Sequence, residues 1–135
     1  MSMTADTYMS KADRAAKSAR TLLDVGDIDG ACDRAYYAMF NAARAALIAS
    51  GATISDSATK THRGLIGAFG LHLVKTNLIA ADLGGAINKV ERLRLLADYT
   101  GDPISLEEAA WAVVQATSFV ATLRQTFMPE NDAMI

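Results

Sequence analysis

Apolar and small residues recur at steps of three and four along five stretches of this chain, and alternation at period two persists nowhere. The sharpest stretch is IDGACDRAYYAMFNAARAALIAS, residues 28–50. There Cys32, Tyr36, Met39, Phe40, Ala43 and Leu47 share one helical stripe, while Arg34, Tyr37, Asn41 and Arg44 share a second. A solvated face normally carries Lys, Glu and Gln. This second stripe instead joins two guanidinium groups to a phenol and an amide, and it holds no acid. Its many alanines allow a neighbouring helix to approach closely, so the stripe is expected to line a seam or cleft.

The other stretches are weaker. Met9 to Leu23 has Ala12, Ala15, Ala16, Ala19, Leu22 and Leu23 on one side and Arg14, Lys17 and Arg20 on the other, which reads first as a solvated outer face. Gly26 can close that helix and Asp27 or Asp29 can cap the next. A third helix is expected over Ala58–Asn77, after a cap at Ser55, Asp56 or Ser57, with Leu65, Ile66, Phe69, Leu73 and Val74 inward. Gly64, Gly67 and Gly70 interrupt it, each costing about 1 kcal/mol against alanine unless a backbone lies close against them. A fourth helix, Asp82–Tyr99, begins on an acidic cap. It turns Ala86 or Ile87, Val90, Leu93 and Ala97 inward and Lys89, Glu91, Arg92, Arg94 and Asp98 outward. Gly101 and Pro103 stop it. Ser105 with Glu108 forms a capping box for the last helix, Leu106–Phe127, whose apolar face includes Ala109, Ala110, Val113, Val114, Phe119, Val120 and Leu123, with Trp111 partly outside.

Five helices on short loops predict an all-α, antiparallel up-and-down bundle of four to five helices, one domain over residues 9–127, with residues 1–8 and 128–135 as flexible ends. Composition agrees: 135 residues, 51% apolar with much alanine, and 21% charged suit a single soluble globule. The lone Cys32 reads as a small buried hydrophobe. A formal charge of −2 argues against gripping duplex DNA by charge alone, although a local basic cleft is compatible with it. No apolar run reaches the length of a membrane span, and a cytoplasmic location is the default expectation.

Candidate chemistry is sparse. His62 and His72 are the only histidines, and ten residues of helix would leave them about 80° apart around the axis and about 15 Å along it. They cannot share a metal, and no Glu-x-x-His pair, HExxH, P-loop or dinucleotide motif occurs, so neither a metal site nor a cofactor is expected. His62 is a candidate proton carrier near neutral pH. The carboxylates of Glu91, Asp98, Asp102, Glu107 and Glu108 do not form a glycosidase-like pair. Arg34 with Tyr37, Asn41 and Arg44 is the stronger signal, since guanidinium forks suit phosphate oxygens. Arg92, Arg94, Asp98 and Tyr99 would join them if the fourth helix faces this stripe. The competing structural reading pairs Arg34 with Asp98 or Glu91 in a buried ion pair.

RAYYAMFNAARAAL at 34–47, KTHRGLIGAFGLHLVKTNLI at 60–79 and RLRLLADYTGDPIS at 92–105 closely resemble the HEPN domain family, in particular its small stand-alone members. The resemblance covers roughly residues 10–125 and implies a four- or five-helix bundle that dimerises. It further implies a minimal nucleotidyltransferase as the partner in a toxin–antitoxin pair. Active members are metal-independent ribonucleases in which an arginine is followed four to six residues later by a histidine. The pair assists attack of a ribose 2'-hydroxyl on phosphate and leaves a 2',3'-cyclic phosphate end. Here no arginine has a histidine at that distance, relatives of the type RAYYAMFH carry histidine where this chain has Asn41, and the fourth-helix stretch offers Asp98 instead. The tyrosine that some partners adenylylate corresponds only loosely to Tyr99.

Three readings therefore stand open. The first is a HEPN toxin component acting on RNA, with Arg34 holding phosphate and His62 replacing the missing base. The second is a non-catalytic HEPN module that binds nucleotide, RNA or a nucleotidyltransferase. The third is a structural oligomer whose arginines only pack.

Overall fold

The computed structural model describes residues 4–101 and 103–129; Asp102, the first three residues and the last six lie outside them. Four of the five α-helices among the described residues begin where a short polar side chain takes a free backbone N–H. α1 (Ala5–Asp24) starts at Thr4, whose hydroxyl accepts from Thr7 N at 3.2 Å. That start lies ahead of the expected Met9. The apolar pattern misses it because the first turn is anchored by the Thr4 cap and by Tyr8, whose ring lies under Arg44. α2 (Ile28–Ala49) opens on Asp27, which accepts from Gly30 N at 3.0 Å, and Gly26 before it takes φ +87° to close α1.

The third segment departs from expectation. In place of one helix over 58–77, a short 3₁₀ turn, Asp56–Thr59, is followed by a fresh start at α3 (His62–Phe69), where Thr61 Oγ1 accepts from Gly64 N at 2.9 Å. α3 then widens into a π-turn, Gly70–Val74. α4 (Ala81–Leu95) ends in a second π-turn, Leu96–Thr100. Asp82 sits inside the first turn of α4 rather than capping it; Ala80 holds the cap position, so Asp82 acts on the helix dipole. α5 (Leu106–Phe127) carries the predicted capping box between Ser105 and Glu108.

The five helices form an all-α bundle, with no strand among the described residues. α2 is its axis and buries Cys32, Tyr36, Met39, Ala43 and Leu47 as its apolar stripe predicts, while Phe40 lies half-buried at the edge. α1 and α5 flank it on one side through Ala12, Ala15, Ala19, Ala109, Ala112 and Ala116, all buried. Arg124 of α5 and Asp13 of α1 tie those two helices together at the rim. α3, the π-turn after it and α4 close the other side through Leu65, Phe69, Leu73, Ile87 and Val90. Val114, expected inward, is 52% exposed, and Trp111 stands partly outside, as its position predicts. No helix among the described residues is long and apolar enough to cross a membrane.

The three glycines of the third segment differ. A Cβ at Gly64 would collide with the Ala58 carbonyl oxygen, whereas Gly67 has open space. Gly67→Ala should therefore raise stability by about 0.5–1 kcal/mol, read as a higher denaturation midpoint, because it restricts the unfolded chain without a clash.

Candidate active site

The second stripe of α2 does not line one cleft. Its members split between two sides of the helix and a third place near its C-terminal half. Arg44 sends Nη2 to the Thr59 carbonyl at 2.7 Å and Nη1 to the Tyr8 hydroxyl at 3.3 Å, and its guanidinium lies over the Tyr8 and Phe40 rings. It ties α1 and the Asp56–Thr59 turn to α2 and is not among the residues that line the cleft beside His62. Arg34 pairs with its neighbour Asp33 at 3.2 Å, not with Asp98 or Glu91. With Asn41 it shares a shallow groove completed by Lys11, Arg14 and Ser18 of α1. Asn41 donates to the Tyr37 carbonyl of its own helix at 3.0 Å.

A cleft of about 530 Å³ lies on the other side. α3 contributes His62, Arg63 and Ile66, and α4 contributes Asn88, Glu91, Arg92, Arg94 and Leu95. On α4 the positions 88, 91, 92 and 95 follow the three-and-four rhythm that puts them on one face. Among the charged residues of the lining are three guanidinium groups and one carboxylate, which favours an anionic guest despite the acidic whole.

His62 stands at the centre. As the first residue of α3 it is placed by the Thr61 cap, and its ring packs against Phe40 (centroids 4.7 Å apart), Tyr36 (5.4 Å) and Tyr37 (5.8 Å). Its Nδ1 lies 2.6 Å from the Tyr36 hydroxyl, which also approaches Glu91 Oε2 at 3.5 Å. Burial, and then the positive charges of Arg94 and Arg44, lower the His62 pKa below 6.5, while Glu91 pulls the other way. The imidazole is therefore neutral at pH 7. A side-chain NMR titration should give a midpoint below 6.5. Because the unfolded chain binds the proton more readily, stability is lost as pH falls from 6.5 through that lower value.

Arg94 is the buried charge of the site. Only 8% exposed, it lies over the rings of Tyr36 (4.8 Å) and Tyr37 (5.6 Å) and meets Asp98 at 3.5 Å, and its Nε finds no partner among the described residues. The sequence placed it on the outer face of α4. It turns inward because the flat guanidinium can lie on two tyrosine faces, which offset part of its lost hydration. Arg34 reaches this cluster indirectly: its guanidinium lies 5.1 Å from the Tyr37 ring, which contacts both His62 and Arg94. Tyr99, in the π-turn after α4, is 75% exposed and is absent from the cleft lining.

Sequence reasoning missed Tyr36 and Glu91. Tyr36 lies on the apolar stripe, and its ring is wholly buried as that stripe predicts; the signal overlooked was the polar tip that a buried tyrosine must satisfy. Burial and then Glu91 raise its pKa, so the phenol keeps its proton. Cys32 has no such outlet: burial, with Asp29, Glu108 and Asp98 adding to it, pushes the thiol up to about 11. No group of three His, Cys, Asp or Glu side chains gathers closely enough among the described residues to hold a metal ion.

A model of the HEPN domain matches residues 5–126. A UPF0332 protein of Gloeobacter violaceus is 33% identical over 114 residues, covering 83% of this chain and 86% of that protein. A protein of Methanocaldococcus jannaschii whose name marks it as a candidate toxin is 37% identical over 92 residues, 68% of this chain and 65% of that one. A second protein of that organism, also named as a candidate toxin, is 26% identical over 127 residues, 93% and 83% of the two chains.

Proposed function

We propose, because this chain belongs to the HEPN domain family, that it is the HEPN component of a toxin–antitoxin-type pair and that its His62 cleft cleaves RNA without a metal. The observation that carries the reading is the conjunction of a neutral, ring-clamped histidine with the buried, under-partnered Arg94 in one cationic cleft. Keeping a guanidinium buried is costly unless an anion or dense hydrogen bonding offsets it. A phosphodiester in this cleft would supply that anion. In the step envisaged, the ribose 2'-hydroxyl gives its proton to His62 as its oxygen bonds to phosphorus. The P–O5' bond breaks, O5' leaves and takes a proton from solvent, and a 2',3'-cyclic phosphate remains. Arg92, Arg94 and Arg63 would stabilise the extra charge on the phosphorane oxygens.

Arg34, Lys11 and Arg14 suit a different task, holding the backbone of the same strand beyond the cleft. That groove also favours a second reading, binding of RNA or nucleotide without cleavage, because Asn41, which lines it, cannot exchange a proton near pH 7. A homodimer and a minimal nucleotidyltransferase partner belong to the proposal too. Leu106, Trp111 and Val114, exposed on α5, are the side chains that support a further surface to bury.

The deciding experiment incubates metal-free protein, Arg34→Ala and His62→Ala with mixed-sequence RNA and identifies the product ends. Cyclic-phosphate ends that persist weakly with Arg34→Ala and vanish with His62→Ala support cleavage in the His62 cleft. Absence of cleavage by wild-type protein, with saturable RNA binding that weakens in Arg34→Ala, replaces it with the binding reading.

A further inference from the structure

Three helices bring one group each to the rear of the His62 ring: His62 itself from α3, Tyr36 from α2 and Glu91 from α4. The Tyr36 oxygen lies between the other two, 2.6 Å from Nδ1 and 3.5 Å from the carboxylate. A phenol has one proton to give, so the arrangement has two forms. In one, Tyr36 donates to Nδ1; the neutral imidazole then carries its hydrogen on Nε2 and offers the cleft a donor. In the other, Tyr36 donates to Glu91 and accepts from Nδ1–H, which leaves the Nε2 lone pair free.

The charge on Glu91 favours the second form. A carboxylate is a much stronger acceptor than a neutral ring nitrogen, and Tyr36 is the hydrogen-bond donor available to Glu91 among the described residues. Arg94 over the Tyr36 face, and Phe40 and Tyr37 against His62, hold the rings in the geometry that the chain of bonds needs.

We infer that Glu91 is a positioning residue: acting through Tyr36, it fixes His62 as the Nδ1–H tautomer and leaves Nε2 as the base facing the cleft. This rests on the proposed role of His62 in proton transfer, but the tautomer itself is observable without any activity.

The test is ¹⁵N NMR of the imidazole nitrogens in the full-length protein at about pH 8, above the ordinary histidine range, with His62→Gln used to assign His62 against His72. The wild type should show Nδ1 protonated and Nε2 unprotonated. Glu91→Gln should shift the population toward Nε2–H, because the amide is a weaker acceptor and can itself donate to the phenol oxygen. Tyr36→Phe, which keeps the ring, should also release the tautomer. A wild type holding Nε2–H, or a tautomer unchanged in both variants, overturns the inference. Glu91→Gln should further lower kcat for RNA cleavage about tenfold or more with little change in KM, as expected when a base is held in the wrong tautomer. If the wild type cleaves no RNA while the tautomer is as stated, the cleavage reading fails alone. If cleavage is robust and the tautomer is Nε2–H, the positioning role of Glu91 fails alone.

Discussion

His62→Ala is expected to lower kcat for RNA cleavage by about 10²- to 10⁴-fold, the span that a positioned general base contributes. The ring lines the cleft, and its neutral form predominates at pH 7. Its removal leaves Tyr36 still able to donate to Glu91, and leaves Arg92 and Arg94 in place. RNA affinity should therefore fall little, while thermal stability should drop by about 1–3 kcal/mol, because the ring packing on Phe40, Tyr36 and Tyr37 and a partner of the buried Tyr36 hydroxyl are lost. Single-turnover cleavage and a melting curve measured side by side read both quantities. A loss smaller than about fivefold would take proton transfer away from His62.

Gly64→Ala carries the second large effect, this time on stability. The added methyl would meet the Ala58 carbonyl and stand 2.8 Å from the Thr61 hydroxyl that caps α3. The Asp56–Thr59 turn must then move away or α3 must lose its cap. Overpacking of this kind costs about 1–3 kcal/mol, and the first residue displaced is His62, two positions earlier. A fall in both the denaturation midpoint and the cleavage rate is expected, in contrast to the gain at Gly67. An unmoved midpoint would show that the turn does not depend on its seat against Gly64.

The contrast between those glycines marks how far the sequence could be read. Gly64, Gly67 and Gly70 read as costly unless a backbone lies close against them, and that close approach is found at Gly64 alone. Periodicity reports which face of a helix is apolar, so α1, α2 and α5 were legible together with the capping box at Ser105. It does not report where a helix stops and restarts. Thr61 could be recognised as a cap only once the Asp56–Thr59 turn was seen to fold back on Gly64. The site was legible in pieces. His62, Arg92 and Arg94 were named from side-chain chemistry, and they do meet in one cleft. Arg34, Asn41 and Arg44 share a sequence stripe with Tyr37, but a stripe about a helix can face several neighbours at once, and here it does. Arg94 was placed outside, and the polar role of the correctly buried Tyr36 was missed, for one reason in two guises. Residue class stands for the whole side chain, whereas burial acts atom by atom, so a flat cation on tyrosine faces goes inside and a core phenol sends its oxygen to the site.

The alanine contact between α1 and α2 also bears on the order of events as the chain folds. These two helices make the most extensive contact of any pair, they are consecutive, and three residues join them. Their buried alanines surrender no rotamer freedom on docking, and the loop to be closed is minimal. Such a local hairpin of helices is expected to form early, with α5 and then the α3–α4 side condensing onto it. The clamp around His62 depends on that later condensation. Hydrogen exchange should therefore be slowest in α2 and faster across the Asp56–Thr59 turn and α3. Chemistry would then be the last thing this chain acquires in folding and the first it gives up on opening, so a partner that grips α3 and α4 would govern whether the cleft exists at all.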